Sequence, residues 1–146
     1  MLQSNYIPFI LSDLLHQNFH LIHGLNAIMC AARGGHLTCL RLLSDRGADL
    51  NAADKDGSTA IMWAIMGRHM TCLQLLVDRG ADVNAADKNG MTAIMMAAVE
   101  GHLTCLQLLA ERGADLNAVD KYGMTAYHYA DGGGHETCVH FLQEKR

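Results

Sequence analysis

The sequence predicts an all-α solenoid of stacked helix–turn–helix units joined by hairpin-like loops. Three observations carry that expectation. Asp54 to Ala86 reads DKDGSTAIMWAIMGRHMTCLQLLVDRGADVNAA, and Asp87 to Val119 repeats it as DKNGMTAIMMAAVEGHLTCLQLLAERGADLNAV, with 21 of 33 positions identical. The same offset finds a copy upstream, 21–53, and a truncated copy downstream, 120–146. Landmarks also fall in register: Gly24, Gly57, Gly90 and Gly123; Gly-Ala-Asp at 47–49, 80–82 and 113–115; Thr-Cys at 38–39, 71–72, 104–105 and 137–138. A fixed period in this range indicates a row of equal supersecondary units, each burying its apolar face against its neighbours.

Taken in order, the chain is one domain, 1–146. A degenerate N-terminal cap over 1–20 precedes full repeats at 21–53, 54–86 and 87–119 and the truncated repeat at 120–146. Tyr6, Ile7, Phe9 and Ile10 align by the same offset with Cys39, Leu40, Leu42 and Leu43, so a half-repeat helix is expected there. Pro8 belongs in the first turn of that helix, because an interior proline costs about 3 kcal/mol.

Within the second copy, Thr59 suits a helix N-cap, its hydroxyl accepting from a free first-turn N–H. Ala60 to Met66 is a short apolar helix that Gly67 and Arg68 break. His69 to Asp78 is a second helix with Cys72, Leu73, Leu75 and Leu76 on its buried side. Gly80 suits the C′ position, with Arg79 beside the negative helix end. Asp82, Asn84, Asp87 and Gly90 are turn formers. Helices this short are marginal alone, so stability must come from stacking. In the fourth copy, Gly132, Gly133 and Gly134 each cost up to ~1 kcal/mol in a helix, so its first helix is expected to fray. Lys145 and Arg146 suit the last helix's C-terminal end.

With 146 residues, a single domain can bury roughly two-thirds of its unfolded surface. The net charge of −4 is mild and no basic stripe is visible, which argues against nucleic acid and anionic membrane as partners. No apolar run approaches the ~20 residues of a membrane span. The first Lys or Arg is Arg33, so the positive region that opens a secretory signal is lacking. Five cysteines, an odd number, and nine methionines fit a reducing compartment, and an intracellular site in the cytoplasm or nucleus is expected.

The motifs G-x-T-A-I-M-x-A from Gly57 to Ala64, H-x-x-C-L-x-L-L from His69 to Leu76 and G-A-D-V-N at 80–84 resemble the ankyrin repeat. The resemblance runs from Gly24 to Leu142. The family's usual Thr-Pro-Leu-His is altered: Ala27, Ala60, Ala93 and Ala126 replace Pro, and Met29, Met62 and Met95 replace His, which His128 alone keeps. Alanine is a strong helix former, so the first helix should survive without proline.

His-x-x-Cys occurs four times: His36/Cys39, His69/Cys72, His102/Cys105 and His135/Cys138. Each pair shares a helix face, and two pairs could complete a zinc tetrahedron. Equivalent residues in adjacent repeats, however, lie about a helix-packing distance apart, roughly 8–10 Å. That is far beyond Zn–S and Zn–N bonds and beyond the ~7 Å Cα limit of a disulfide. Buried core thiols and a histidine ladder tying loops together are the expectation, with no metal and no cofactor. A Cys–His nucleophile would need one pair singled out by an orienting group, and four equivalent pairs show none. Gly132 to Gly134 lack the strand and lysine of a phosphate loop. No enzymatic activity is expected.

Function is sought where the copies differ. Lys55, Lys88 and Lys121 form a ladder at the loop tips, and beside them vary Asp56, Asn89 and Tyr122, then Ser58, Met91 and Met124. Along the first helix vary Trp63, Met96 and Tyr129, and at its end Met66, Val99 and Glu100. The lysines alone fit a solvated edge, and Trp63, Met96 and Tyr129 fit packing between repeats as well as contact with a partner. Met66, Met91 and Met124 are expected to be exposed. The resemblance implies that loop tips and first helices line a concave face that grips a protein partner. Aromatics and methionine suit such a surface. The chain is thus expected to be a monomeric protein–protein interaction module of unidentified partner. Two alternatives stand beside it: the targeting part of a larger enzyme or adaptor, and an engineered repeat scaffold without a dedicated partner.

Overall fold

The computed structural model describes residues 26–145. The expected N-terminal cap over 1–20, with its helix through Tyr6 to Ile10, lies outside the described residues. Eight helices follow in four pairs: α1 Ala27–Gly34 with α2 Leu37–Asp45, α3 Ala60–Met66 with α4 Met70–Asp78, α5 Ala93–Glu100 with α6 Leu103–Glu111, and α7 Ala126–Gly132 with α8 Glu136–Glu144. The members of each pair pack on one another. First helices form a row, α1 on α3 on α5 on α7, and the second helices stand behind them, α2 on α4 and α6 on α8. Among the described residues the only strand-like pairing is one antiparallel bridge, Ala86 with Thr92. The fold is the expected all-α solenoid.

The two rows differ in pattern because they differ in neighbours. A first helix inside the row is flanked on both sides and from behind, so it is apolar nearly all round: in α5, Ala93, Ile94, Met95, Ala97 and Ala98 are all buried. Second helices have a solvent side and are amphipathic, with Cys72, Leu73, Leu76 and Val77 buried in α4. Leu75 is only half-buried, against expectation, because two residues on from Leu73 places it at the edge of the stripe. His69 is the N-cap of α4, so the helix starts one residue later than the sequence suggests. The alanines that replace proline each open a first helix, and Ala60, Ala93 and Ala126 are buried there.

The caps are less regular than the sequence implies. Asn26 Oδ1 accepts from Met29 N–H at 3.0 Å. Thr59 and Thr92 occupy the N-cap with extended backbone, as expected, yet neither hydroxyl accepts a first-turn N–H. Thr92 Oγ1 is buried without any hydrogen-bond partner among the described residues. Three residues on stands Met95, fully buried and without a nitrogen to offer. Beyond Thr125 the same position holds His128, whose Nδ1 accepts from Thr125 N–H at 3.1 Å and lies 2.9 Å from Thr125 Oγ1. An Nδ1 that accepts carries no proton, so the hydroxyl donates to it as well. The glycines of the fourth repeat end a helix rather than interrupt one: Gly132 closes α7, Gly133 caps it, and Gly134 turns the chain at φ 71°.

Stacking requires two glycines at the tips. Gly57 and Gly90 have φ of 82° and 79°, and a Cβ on them would lie 3.0 Å from Asp87 Cα and 2.9 Å from Asp120 Cα. The backbone of the next repeat passes directly against each. Behind the first helices, the rings of His69 and His135 lie over Gly35 and Gly101 in the same way. The register position between these two glycines holds Arg68, at φ 60°. There the side chain's Cβ occupies the space a histidine ring takes elsewhere, and His102 bonds its own helix instead, its Nδ1 accepting from Cys105 N–H at 3.3 Å.

The caps yield a paired expectation. Thr92→Val removes a buried hydroxyl that has no partner and should raise stability by about 1 kcal/mol, whereas Thr125→Val removes a bonded one and should cost about 1 kcal/mol. Urea unfolding midpoints check both, and equal losses in the two variants would contradict the assignment.

Candidate protein-binding surface

Each loop tip is built on an aspartate. Asp54 Oδ1 accepts from the N–H groups of Asp56 and Ser58, both at 2.9 Å. Asp87 does the same for Asn89 at 2.8 Å and Met91 at 3.0 Å, and Asp120 for Tyr122 at 2.8 Å and Met124 at 3.0 Å. An acceptor side chain reaching two and four residues on folds the tip into a fixed hairpin. Adjacent tips are then tied to each other. Lys88 N–H donates to Asp56 O at 2.9 Å, and Lys121 N–H to Asn89 O at 2.9 Å.

The lysine ladder follows that tie. Lys88 Nζ donates to Asp56 Oδ1 at 2.7 Å, and Lys121 Nζ to Asn89 Oδ1 at 2.8 Å. The Asp56 carboxylate holds the Lys88 ammonium above its ordinary 10.5. Lys55 is exposed. On the far side of the repeat, Asn51 and Asn84 accept from Asp82 and Asp115 N–H at 2.7 Å, and Arg79 and Arg112 pair with Asp45 and Asp78 of the preceding repeat. Those exposed pairs contribute little individually.

The variable residues divide three ways. Ser58 is buried at 7 % exposure beneath its tip and presents no surface, which removes it from the candidate set. Trp63, Met96 and Tyr129 are half-buried and packed on the core. Trp63 Nε1–H donates to Asp54 Oδ2 at 3.1 Å while the Arg33 guanidinium of the preceding repeat lies 5.3 Å from its ring centre. Tyr129 hydroxyl donates to Asp120 Oδ2. Met96, at the same position, has no polar group to reach Asp87. Met91 and Met124 are half-buried, not exposed as expected, because the hydrogen bonds from their own N–H groups draw the chain inward onto the turn aspartate.

Exposure is left to Met66 and Val99, each 44 % accessible at the end of a first helix, and to Tyr122, 74 % accessible with Lys121 Nζ 5.0 Å from its ring. Glu100 pairs with Arg68 at 2.8 Å. Three surface residues were not singled out from the sequence: Val119, 58 % accessible, Arg33 and Arg68. Val119 differs from its counterparts Ala53 and Ala86, so the signal was present in the copies themselves.

The thiols are core groups. Cys39, Cys72, Cys105 and Cys138 are buried and all five cysteines are free. Burial raises every one of these thiols, Cys105 to about 12, so they stay protonated and weakly nucleophilic at neutral pH. The histidines meet backbone: His135 Nε2–H donates to Val99 O at 3.0 Å, joining the third and fourth repeats. Among the described residues no three His, Cys, Asp or Glu side chains gather as a metal site, and no helix is long and apolar enough to cross a membrane.

Electrostatics single out the fourth repeat. Donation from Tyr129, helped by the Met124 and Tyr122 N–H groups, lowers the Asp120 carboxyl below its ordinary 3.8, and the same bond raises Tyr129 to about 12. A lowered aspartate stabilises the fold above its unfolded value and loses that contribution as pH falls through the folded one. A raised tyrosine stabilises below its unfolded value, 10, and loses it as pH climbs towards 12. Tyr129→Phe should therefore lower the urea midpoint most between about pH 5 and 9, with the gap to the parent closing in acid below pH 4 and in alkali above pH 10. A gap independent of pH would contradict the bond.

A family model of ankyrin repeats in three copies matches residues 3–87 and again 72–146. No curated protein matches the chain. Ankyrin repeats are in general modules that bind proteins and are typically non-catalytic. With the repeat period, the paired helices and the matched family model in accord, the chain belongs to the ankyrin-repeat family.

Proposed function

We propose that this chain is a protein–protein interaction module in which loop tips and first helices form one concave, preformed face for a folded partner. What supports this most is the placement of exposed apolar side chains. Among the described residues the large exposed ones are Met66, Val99, Val119 and Tyr122, and all four lie at first-helix ends or beside loop tips. The second helices, whose outer sides are equally open to water, carry no such side chain among the described residues. Scattered exposed apolar groups are ordinary on a surface. Their absence from the second helices among the described residues supports a contact surface at the tips and first helices.

The mechanism is rigid presentation. The tips are fixed by their aspartates and by the bonds between repeats, so little order has to be gained on association. Met66 supplies adaptable apolar contact, Val99 a stiffer one, and Tyr122 a large amphipathic one. Lys55, Lys88, Asn89 and Lys121 form the polar rim, with Asp56 and Glu100 fixing two of the surface cations. The module comprises the single repeat domain, 1–146, and acts without cofactor.

The test is capture from lysate by the immobilised chain and by two variants checked for folding by circular dichroism. Met66→Glu with Val99→Glu should abolish capture of the specific partner, a loss of at least tenfold, while Gln74→Glu with Gln107→Glu on the second helices should leave it unchanged. Loss in the second-helix variant with retention in the first would place recognition on the opposite side and defeat the proposal.

A further inference from the structure

The row of loop tips has an open end at the fourth repeat, and the contacts inside the row say what fits it, an inference that rests on the function proposed above. At each inner junction the following tip brings the same elements. Its lysine N–H donates to a carbonyl, Asp56 O or Asn89 O, at 2.9 Å. Its aspartate Cα passes the adjacent glycine, Gly57 or Gly90, so closely that a Cβ there would lie 3.0 or 2.9 Å from it. Covered in this way, Asp56, Gly57, Asn89 and Gly90 are all half-buried.

Tyr122-Gly123 is the third such dipeptide, and its turn is the same. Asp120 Oδ1 accepts from Tyr122 and Met124 N–H, Gly123 N–H donates to Asp120 O at 3.0 Å, and Gly123 has φ 75° against 82° and 79° in the other two. A turn of the same shape aims Tyr122 O as Asp56 O and Asn89 O are aimed. Among the described residues no N–H meets that carbonyl, and nothing lies within 4 Å of a Cβ position on Gly123. Both residues are exposed. The side chains differ as well. Lys88 and Lys121 reach the side-chain oxygens of Asp56 and Asn89, but Tyr122 offers a ring instead, 74 % accessible. Val119, on the arm leading into this tip, is 58 % accessible where the other copies carry alanine. Among the described residues these two are the most accessible large apolar side chains, and both belong to the one tip without a following neighbour.

We infer that this end of the tip row takes an extended segment of a protein partner by main-chain addition. One N–H of the segment donates to Tyr122 O, its backbone passes against Gly123, and an aliphatic or aromatic side chain lies on Val119 and Tyr122. An apolar side chain fits better than a cation, because the Lys121 ammonium already stands 5.0 Å from the Tyr122 ring and repels a second positive charge. An open backbone acceptor beside apolar surface is the ordinary template for such pairing.

Panning the full chain against a random peptide display library tests the inference. Enriched peptides are then made with each backbone N–H methylated in turn. Their binding is measured on the parent, on Val119→Ser with Tyr122→Ser, on Gly123→Asn and on Met66→Glu, each confirmed folded by circular dichroism. Asparagine tolerates the left-handed backbone, so Gly123→Asn adds a Cβ at the edge with little strain. Binding should fall at least tenfold in both tip variants, and at least tenfold on methylation of one particular N–H. Tip-dependent binding that survives every single methylation would overturn the main-chain contact. Peptides lost on Met66→Glu but indifferent to both tip variants would overturn this inference and leave the proposed face standing. If no peptide distinguishes the parent from any variant, the face fails as well. A parent that sediments as a dimer, and a Gly123→Asn chain that does not, would give the edge to a second copy and defeat the assignment to a partner.

Discussion

The bond between one loop tip and the next is the contact on which the rest of this structure depends. A turn aspartate fixes each tip, a glycine with positive φ lets the neighbouring backbone come within van der Waals reach, and the lysine N–H of the following repeat closes on the carbonyl beneath it. No repeat can complete that arrangement alone. Nor can a first helix of seven or eight residues bury its sides without a neighbour. Tip register and helix packing are thus two expressions of one requirement, and a shift in either would displace the other.

The same economy explains which polar groups are exposed and which are not. Aspartates that look like surface residues in the sequence are buried because backbone N–H groups satisfy them, and in two repeats an aromatic donor nine residues on completes the shell. Tryptophan and tyrosine serve equally well there, since both place a donor at the end of a flat apolar body. Where methionine stands instead, the apolar contact survives and the donor is lost. Arg68 is a comparable local exchange. It holds a left-handed backbone that glycine holds elsewhere, gives up a histidine contact between repeats and gains an exposed ion pair with Glu100.

The architecture was legible in the sequence because repetition averages over local ambiguity. Helix positions, the glycine ends and the alanines replacing proline could be read from four copies at once. The site was less legible. A difference between copies marks freedom from the stacking constraint, but it does not say whether a residue faces water or lies under its own turn. Ser58 and Met91 vary and are drawn inward, because what anchors them is an aspartate four residues earlier accepting from their backbone N–H. Val119 was missed although its counterparts are alanines, since a change between small apolar residues carries no visible chemistry until its exposure is known. Arg33 and Arg68 read in the sequence as the first basic residue and as a helix breaker, not as surface residues of the site.

The most direct test compares two glycines with nearly the same backbone. Gly90 and Gly123 have φ of 79° and 75°, but only Gly90 has a following repeat against it, 2.9 Å from the position of an added Cβ. Alanine at either site bears the left-handed penalty of roughly 1–2 kcal/mol. Global urea unfolding of Gly90→Ala and Gly123→Ala separates that penalty from the stacking contact. The account predicts a clearly larger loss for Gly90→Ala, with the excess due to repeats pushed apart at the tips. Equal losses would contradict it, and would mean that the tips merely follow the helices.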